Sequence, residues 1–149
     1  MTAQATITQT TETQSIIYSR LLWVAPAAIL VSTVANLGFY TAAGSLFPEV
    51  TDWAGASIGQ IIGANIVYLF IGAIVFAVVA RTSARPARNY IIAATIGLAL
   101  SMFMPISVGM GYGPPEMAIP GAMTVITLCL MHVLSYVISV PMFIRLALD

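Results

Sequence analysis

The chain's single histidine, His132, lies within the run LCLMHVLSYVISVPMFIR, residues 128–145. An imidazole can carry a proton, accept a hydrogen bond or ligate a metal. Inside an apolar helix each of these roles needs a partner close by. The spacing supplies neighbours: His132, Ser135, Tyr136 and Ser139 stand at i, i+3, i+4 and i+7. A helix puts those four side chains on one face. Other apolar runs carry similar marks. Ala28, Ser32, Asn36 and Tyr40 form an i+4 row, Asn65, Tyr68 and Gly72 share a face, and Ser101 sits within a third run. These faces are predicted to point at one another, because a polar group against lipid tails is costly.

Several chemistries are missing. No Asp or Glu lies inside any apolar run, so there is neither a carboxylate proton relay nor a Ser-His-Asp arrangement. No lysine is present, and no glycine-rich loop is built to cradle phosphate. Gly111-Tyr112-Gly113 lacks the Thr-Val that precedes it in a potassium filter. Cys129 is the only cysteine, which excludes an intrachain disulfide and a paired-thiol relay. A metal reading draws on Met102, Met104, Met131 and His132, since soft sulfur suits Cu(I). Methionine is equally an apolar filler. His132 alone can supply one axial ligand to a tetrapyrrole. The expectation is therefore no catalytic residues and no resident cofactor. The candidate ligand-binding layer is Asn36, Asn65, Tyr68, Ser101, His132 and Tyr136.

Long helices must position that layer. Apolar residues make up 60% of the chain and charged ones only 7%. A soluble domain carries roughly 25% charged residues to face water. Four runs, about 16–42, 58–80, 89–108 and 122–147, meet the ~20 residues that cross a bilayer. The predicted fold is an all-α, up-down-up-down four-helix membrane bundle. The connections 42–57 and 109–121 carry Glu49, Asp52 and Glu116, whereas 81–88, RTSARPAR, carries three arginines. With Arg20 and Arg145, all five cations fall on one side, which predicts cytoplasmic termini. Residues 1–15 are polar, lack a signal-like basic start and read as a flexible tail.

At about 1.5 Å per residue, Asn36 and Asn65 lie about 24 Å from Arg20 and Arg81. The same count puts Ser101 and His132 about 20 Å from Arg88 and Arg145. All four spans thus offer a hydrogen-bonding side chain at one level, in the half away from the arginines. Two small-residue rows, Gly55-Gly59-Gly63 and Ala93-Gly97-Ser101, are predicted to allow close helix approach. Tyr18, Trp23, Tyr90 and Phe143 at one boundary, and Tyr40, Trp53 and Tyr112 at the other, read as aromatic belts.

Three segments carry a resemblance: VANLGFY at 34–40, ARPAR at 84–88, and LMHVLSYVISVPMFIRL at 130–146. With the order of spans, they resemble a group of four-span bacterial integral membrane proteins of the domain-of-unknown-function type. That resemblance implies a bacterial plasma membrane and no assigned activity. The residues themselves leave three readings. One is a non-enzymatic accessory or scaffold subunit, with a membrane partner or a second copy of the chain. Another is a transporter or binder of a neutral or hydrophobic ligand through the polar layer. The third is metal or tetrapyrrole binding through His132. The bilayer is the one partner common to all, and with no basic stripe nucleic acid is not expected.

Overall fold

The computed structural model describes residues 16–148, so the expected tail, 1–15, lies outside the described residues. The elements are α1 (Tyr18–Leu46), α2 (Glu49–Asp52), α3 (Ile58–Thr82), α4 (Pro86–Gly109) and α5 (Ala122–Ala147). Among the described residues, α1, α3, α4 and α5 are long and apolar enough to cross a membrane. The chain is an all-α, multi-pass membrane protein. In lipid a helix satisfies its own backbone polar groups, which explains why apolar runs of this length take that form.

The helix ends follow local chemistry. At the start of α3, the Ser57 hydroxyl accepts from the Gln60 N–H at 3.3 Å. The Ser57 N–H in turn donates to Gln60 Oε1 at 2.7 Å, which completes a capping box. Helix α4 starts at Pro86, three residues before the predicted boundary at 89, because proline at the first helical position removes only a donor that would be unpaired anyway. Helix α1 continues to Leu46, past the predicted end at 42.

Helix α5 has Gly121 at its N-cap and no capping side chain of its own. The cap comes from α2, where Glu49 Oε1 accepts the Met123 N–H at 2.9 Å. The Thr124 hydroxyl donates to the Glu49 carbonyl at 3.0 Å. A carboxylate here meets both the unpaired amides and the positive end of the helix. A Cβ on residue 121 would run into that carboxylate, so any larger residue there must displace the cap. Glu49→Ala is expected to lower stability by about 1 kcal/mol, as loss of a cap does. Gly121→Ala should have a similar effect by expelling Glu49. Chemical unfolding of the purified chain in micelles measures both.

The long helices form a ring in which α1 packs most extensively on α5 and then on α3, and α4 packs on α5 and α3. Helices α1 and α4 face each other diagonally and do not touch. The ends of the described chain meet: the Ile17 N–H donates to the Ala147 carbonyl at 3.0 Å, and Ile16 bridges Leu148. Arg20, Arg81, Arg85, Arg88 and Arg145 are exposed at that end, called the arginine end below. The opposite end carries the acidic loops.

Two apolar cores sit at different heights. Near the arginine end, Phe76 is fully buried against Phe143 and Tyr90, with Val24, Ala28, Ala73 and Val140 around them. Near the acidic end, Tyr40, Val50, Ala56, Ile61 and Met131 pack together. The Tyr40 hydroxyl donates to the Ala56 carbonyl there. Two expectations need correction. Tyr90 and Phe143 are buried core, not boundary aromatics, because their α4 and α5 faces turn toward Phe76. Tyr18 and Trp23 are exposed as a belt requires. The small-residue rows do not bring helices together either. A Cβ at Gly59, Gly63 or Gly97 would meet open space, and one at Gly55 would meet only the ring of Trp53.

Candidate functional site

Between the two cores lies a polar layer. Asn36 on α1 donates through Nδ2 to Asn65 Oδ1 on α3 at 3.0 Å and to the Ser135 hydroxyl on α5 at 2.8 Å. The Ser135 hydroxyl donates onward to the same Asn65 Oδ1 at 3.2 Å. Asn65 Nδ2 is used on its own helix, donating to the Ile61 carbonyl at 2.9 Å. The result is a closed triangle joining three helices. Asn36 Oδ1 and the hydroxyls of Ser32 and Thr33 are buried without partners among the described residues.

The predicted layer is therefore split. Asn36 and Asn65 meet, but their third partner is Ser135 and neither His132 nor Ser101. Residue counting assumed parallel helices, whereas the buried row of α1, Val24-Ala28-Ser32-Asn36-Tyr40, advances by four. Such a row is inclined by about 26° to the helix axis, so a helix packed through it crosses its neighbours at an angle. That slant sets Asn36 beside a residue about one turn closer to the arginine end of α5 than His132. Between α4 and α5 the count holds better. The Thr95 and Tyr136 hydroxyls lie 2.9 Å apart. At the far end of α4, Gly109 abuts Val125, so Ser101 falls level with His132.

His132 makes its one hydrogen bond within α5, to the Leu128 carbonyl, 2.7 Å from Nδ1. A carbonyl only accepts, so Nδ1 carries the proton and Nε2 of the neutral ring presents a lone pair. Nε2 has no partner among the described residues.

The ring lines a cavity of about 470 Å³ enclosed by α3, α4 and α5. All six predicted residues, Asn36, Asn65, Tyr68, Ser101, His132 and Tyr136, are on its wall. Its origin is legible in the residue types. Helix α4 buries only Pro86, Tyr90 and Pro105, and most of its cavity lining between these is small, Ala93, Ala94, Gly97 and Ser101, with Leu98 and Met104 beside them. With α1 set back from α4, no described residue fills the space in front of that face. The lining extends along α5 from Leu128 to Phe143, a length of about 22 Å. Tyr90 and Phe143 close it toward the arginine end, and Trp53, Ala56 and Gln60 line its opposite end. Trp53 is held there by a hydrogen bond from Nε1 to the Ala118 carbonyl at 2.7 Å, which ties the two acidic loops together.

The side is not closed. Ala64, Tyr68, Ile71 and Gly97 line the cavity and yet are exposed, so it opens between α3 and α4 toward the lipid. Tyr68, 53% exposed, stands at this mouth and not within the layer. Sequence reasoning did not include Ser139, Tyr90, Gln60 or Trp53 in the site, although Ser139 belongs to the recognised stripe. The sulfur atoms are dispersed. Met131 is buried in the acidic-end core, Met104 is a cavity-wall residue, and Met102 is not on the wall. Among the described residues, no three His, Cys, Asp or Glu side chains converge as a metal site. Comparison with protein-family models, curated proteins and solved structures finds no match to this chain.

Proposed function

We propose that this chain is a non-catalytic membrane protein that binds an elongated lipophilic molecule, admitted from the bilayer between α3 and α4. The cavity carries this reading. Its volume of 470 Å³ falls in the range of small-molecule sites, which are mostly apolar with a few polar groups that fix orientation. The polar stripe of α5 runs along its wall, where a ligand can use it. The accessory role foreseen from composition draws on missing catalytic groups alone, whereas ligand binding draws on a shaped space.

Gly97 gives a clean test, because a Cβ there meets no atom within 4 Å and the residue lines the cavity, so a larger side chain takes up cavity space before it touches helix packing. Wild type is expected to bind 1-aminoanthracene, a fluorescent lipophile, with the probe displaceable by excess unlabelled lipophile. Gly97→Phe should weaken that binding at least tenfold while the melting temperature stays unchanged or rises. Equal binding by wild type and variant would dispose of the cavity as a ligand site.

We further propose that the arginine end is cytoplasmic, on the strength of the five arginines gathered there. In a Cys129→Ser background, an impermeant thiol reagent added outside intact cells should label Asp52→Cys and spare Arg85→Cys. The reverse pattern would invert the orientation.

A further inference from the structure

We infer that the ligand is a hydroxyl-bearing amphiphile whose O–H donates to His132 Nε2 while its apolar body lies along the α4 face toward Tyr90. This deepens the ligand-binding reading above and rests on it. At one level of the cavity, acceptors outnumber free donors. His132 uses its ring N–H on Leu128, so Nε2 can only accept. Ser101 spends its hydroxyl hydrogen on the Leu98 carbonyl at 2.8 Å, which leaves oxygen lone pairs. Pro105, also on the wall, has no N–H, so the Ser101 carbonyl loses its usual helical donor. Both residues thus offer acceptors where Ser101 and His132 stand level.

Other polar groups nearby do not fill the gap. Asn36 Nδ2 is committed twice within the triangle, and Ser135 donates to Asn65. The Tyr136 hydroxyl is engaged with Thr95. At the level of Ser101 and His132 the wall offers acceptors, which favours a molecule that brings its own donor there, because a ketone or ether head would leave those lone pairs unmatched. Position sets the rest. His132 lies one turn from Leu128, the end of the α5 lining nearer the acidic loops, and eleven residues from Phe143 at the other. The space beyond it, about 16 Å long, is closed by Tyr90 and Phe143 and suits an aliphatic or aryl-alkyl tail. The hydroxyl then sits toward the acidic-loop end, as the head of an amphiphile from that leaflet would.

Two probes with one tail separate the possibilities: 4-nonylphenol, which has the donor, and 4-nonylanisole, which lacks it. Each is titrated into the micelle-solubilised full chain as a mole fraction of detergent, with Trp53 fluorescence as readout in a Trp23→Phe background. The phenol is expected to bind about tenfold more tightly than the anisole, and His132→Leu should bring the phenol down to the anisole value without weakening the anisole. Equal binding of both probes to the wild-type ring overturns the donor inference but leaves the cavity reading standing. A phenol preference that survives His132→Leu removes the histidine from the role. If neither probe perturbs Trp53, and Gly97→Phe behaves as wild type, the ligand-binding reading itself fails. The wild-type comparison needs no variant at position 132, so it can overturn the donor inference even if His132→Leu does not fold.

Discussion

Replacing Phe76 by alanine is expected to destabilise the bundle by about 3 kcal/mol, within the range for truncating a buried aromatic. Phe76 is fully buried on α3, stacked on Phe143 of α5 at 5.4 Å between ring centroids and edge-on to Tyr90 of α4 at 4.9 Å. In lipid the hydrophobic effect does not separate folded from unfolded helices, so packing contacts supply the difference. One ring here serves three helices, and the alanine variant leaves a void that apolar neighbours cannot close without moving. Phe76→Leu keeps most of the volume and should lose only about 1 kcal/mol. Unfolding of the full chain in mixed micelles measures both. Phe76 is not on the cavity wall, so the alanine variant should still bind a lipophilic probe. A loss below about 1 kcal/mol would mean that the arginine-end core is not the structural anchor of the fold.

That core shows where sequence reading reaches its limit. The four spans follow from apolar length alone, and the inward faces of α1 and α5 follow from the spacing of Ser32, Asn36 and Tyr40 and of Ser135 and Ser139. These positions are buried or half-buried in the structure. Polar side chains mark the inside of a membrane bundle because lipid tolerates them poorly. Aromatic residues carry no such mark. Tyr90 lies two residues after Arg88, a position equally suited to a boundary belt, and only its contact with Phe76 reveals it as core. Glycine rows are ambiguous in the same way. Ala93, Gly97 and Ser101 permit close approach, and they leave a hollow when no helix approaches. Which outcome holds depends on where α1 and α4 lie, and that is a property of all the packing at once. The α2 cap was also beyond reach, since Glu49 and Met123 are joined only by the folded loops.

The hollow and the triangle are two consequences of one arrangement. Helix α1 lies against α3 and α5 along its whole i+4 row, which brings Asn36 to Asn65 and Ser135 and sets α1 back from the inward face of α4 at mid-height. The predicted layer consequently divides by role. Asn36, Asn65 and Ser135 spend their hydrogen bonds on one another, whereas Ser101 and His132 bond only to their own helices and keep unused lone pairs.

This division makes Asn65→Leu the second large expected effect, about 2 kcal/mol of lost stability. Asn65 Oδ1 accepts from both Asn36 and Ser135, so its removal breaks two interhelical bonds and leaves a buried amide N–H without an acceptor. An interhelical hydrogen bond in lipid averages about 0.6 kcal/mol, so the two broken bonds account for about 1.2 kcal/mol and the stranded donor for the rest. The double variant Asn36→Leu, Asn65→Leu removes that donor as well, and should be less destabilised than the sum of the singles by about 1 kcal/mol or more. His132→Leu, by contrast, breaks only a bond within α5 and should change stability by less than about 1 kcal/mol. Unfolding free energies of the wild type and the four variants in the same micelles decide the point. Additive losses at Asn36 and Asn65 would mean that the triangle does not act as a unit. A loss at His132 as large as at Asn65 would return the histidine to the structural layer and leave the cavity without its acceptor.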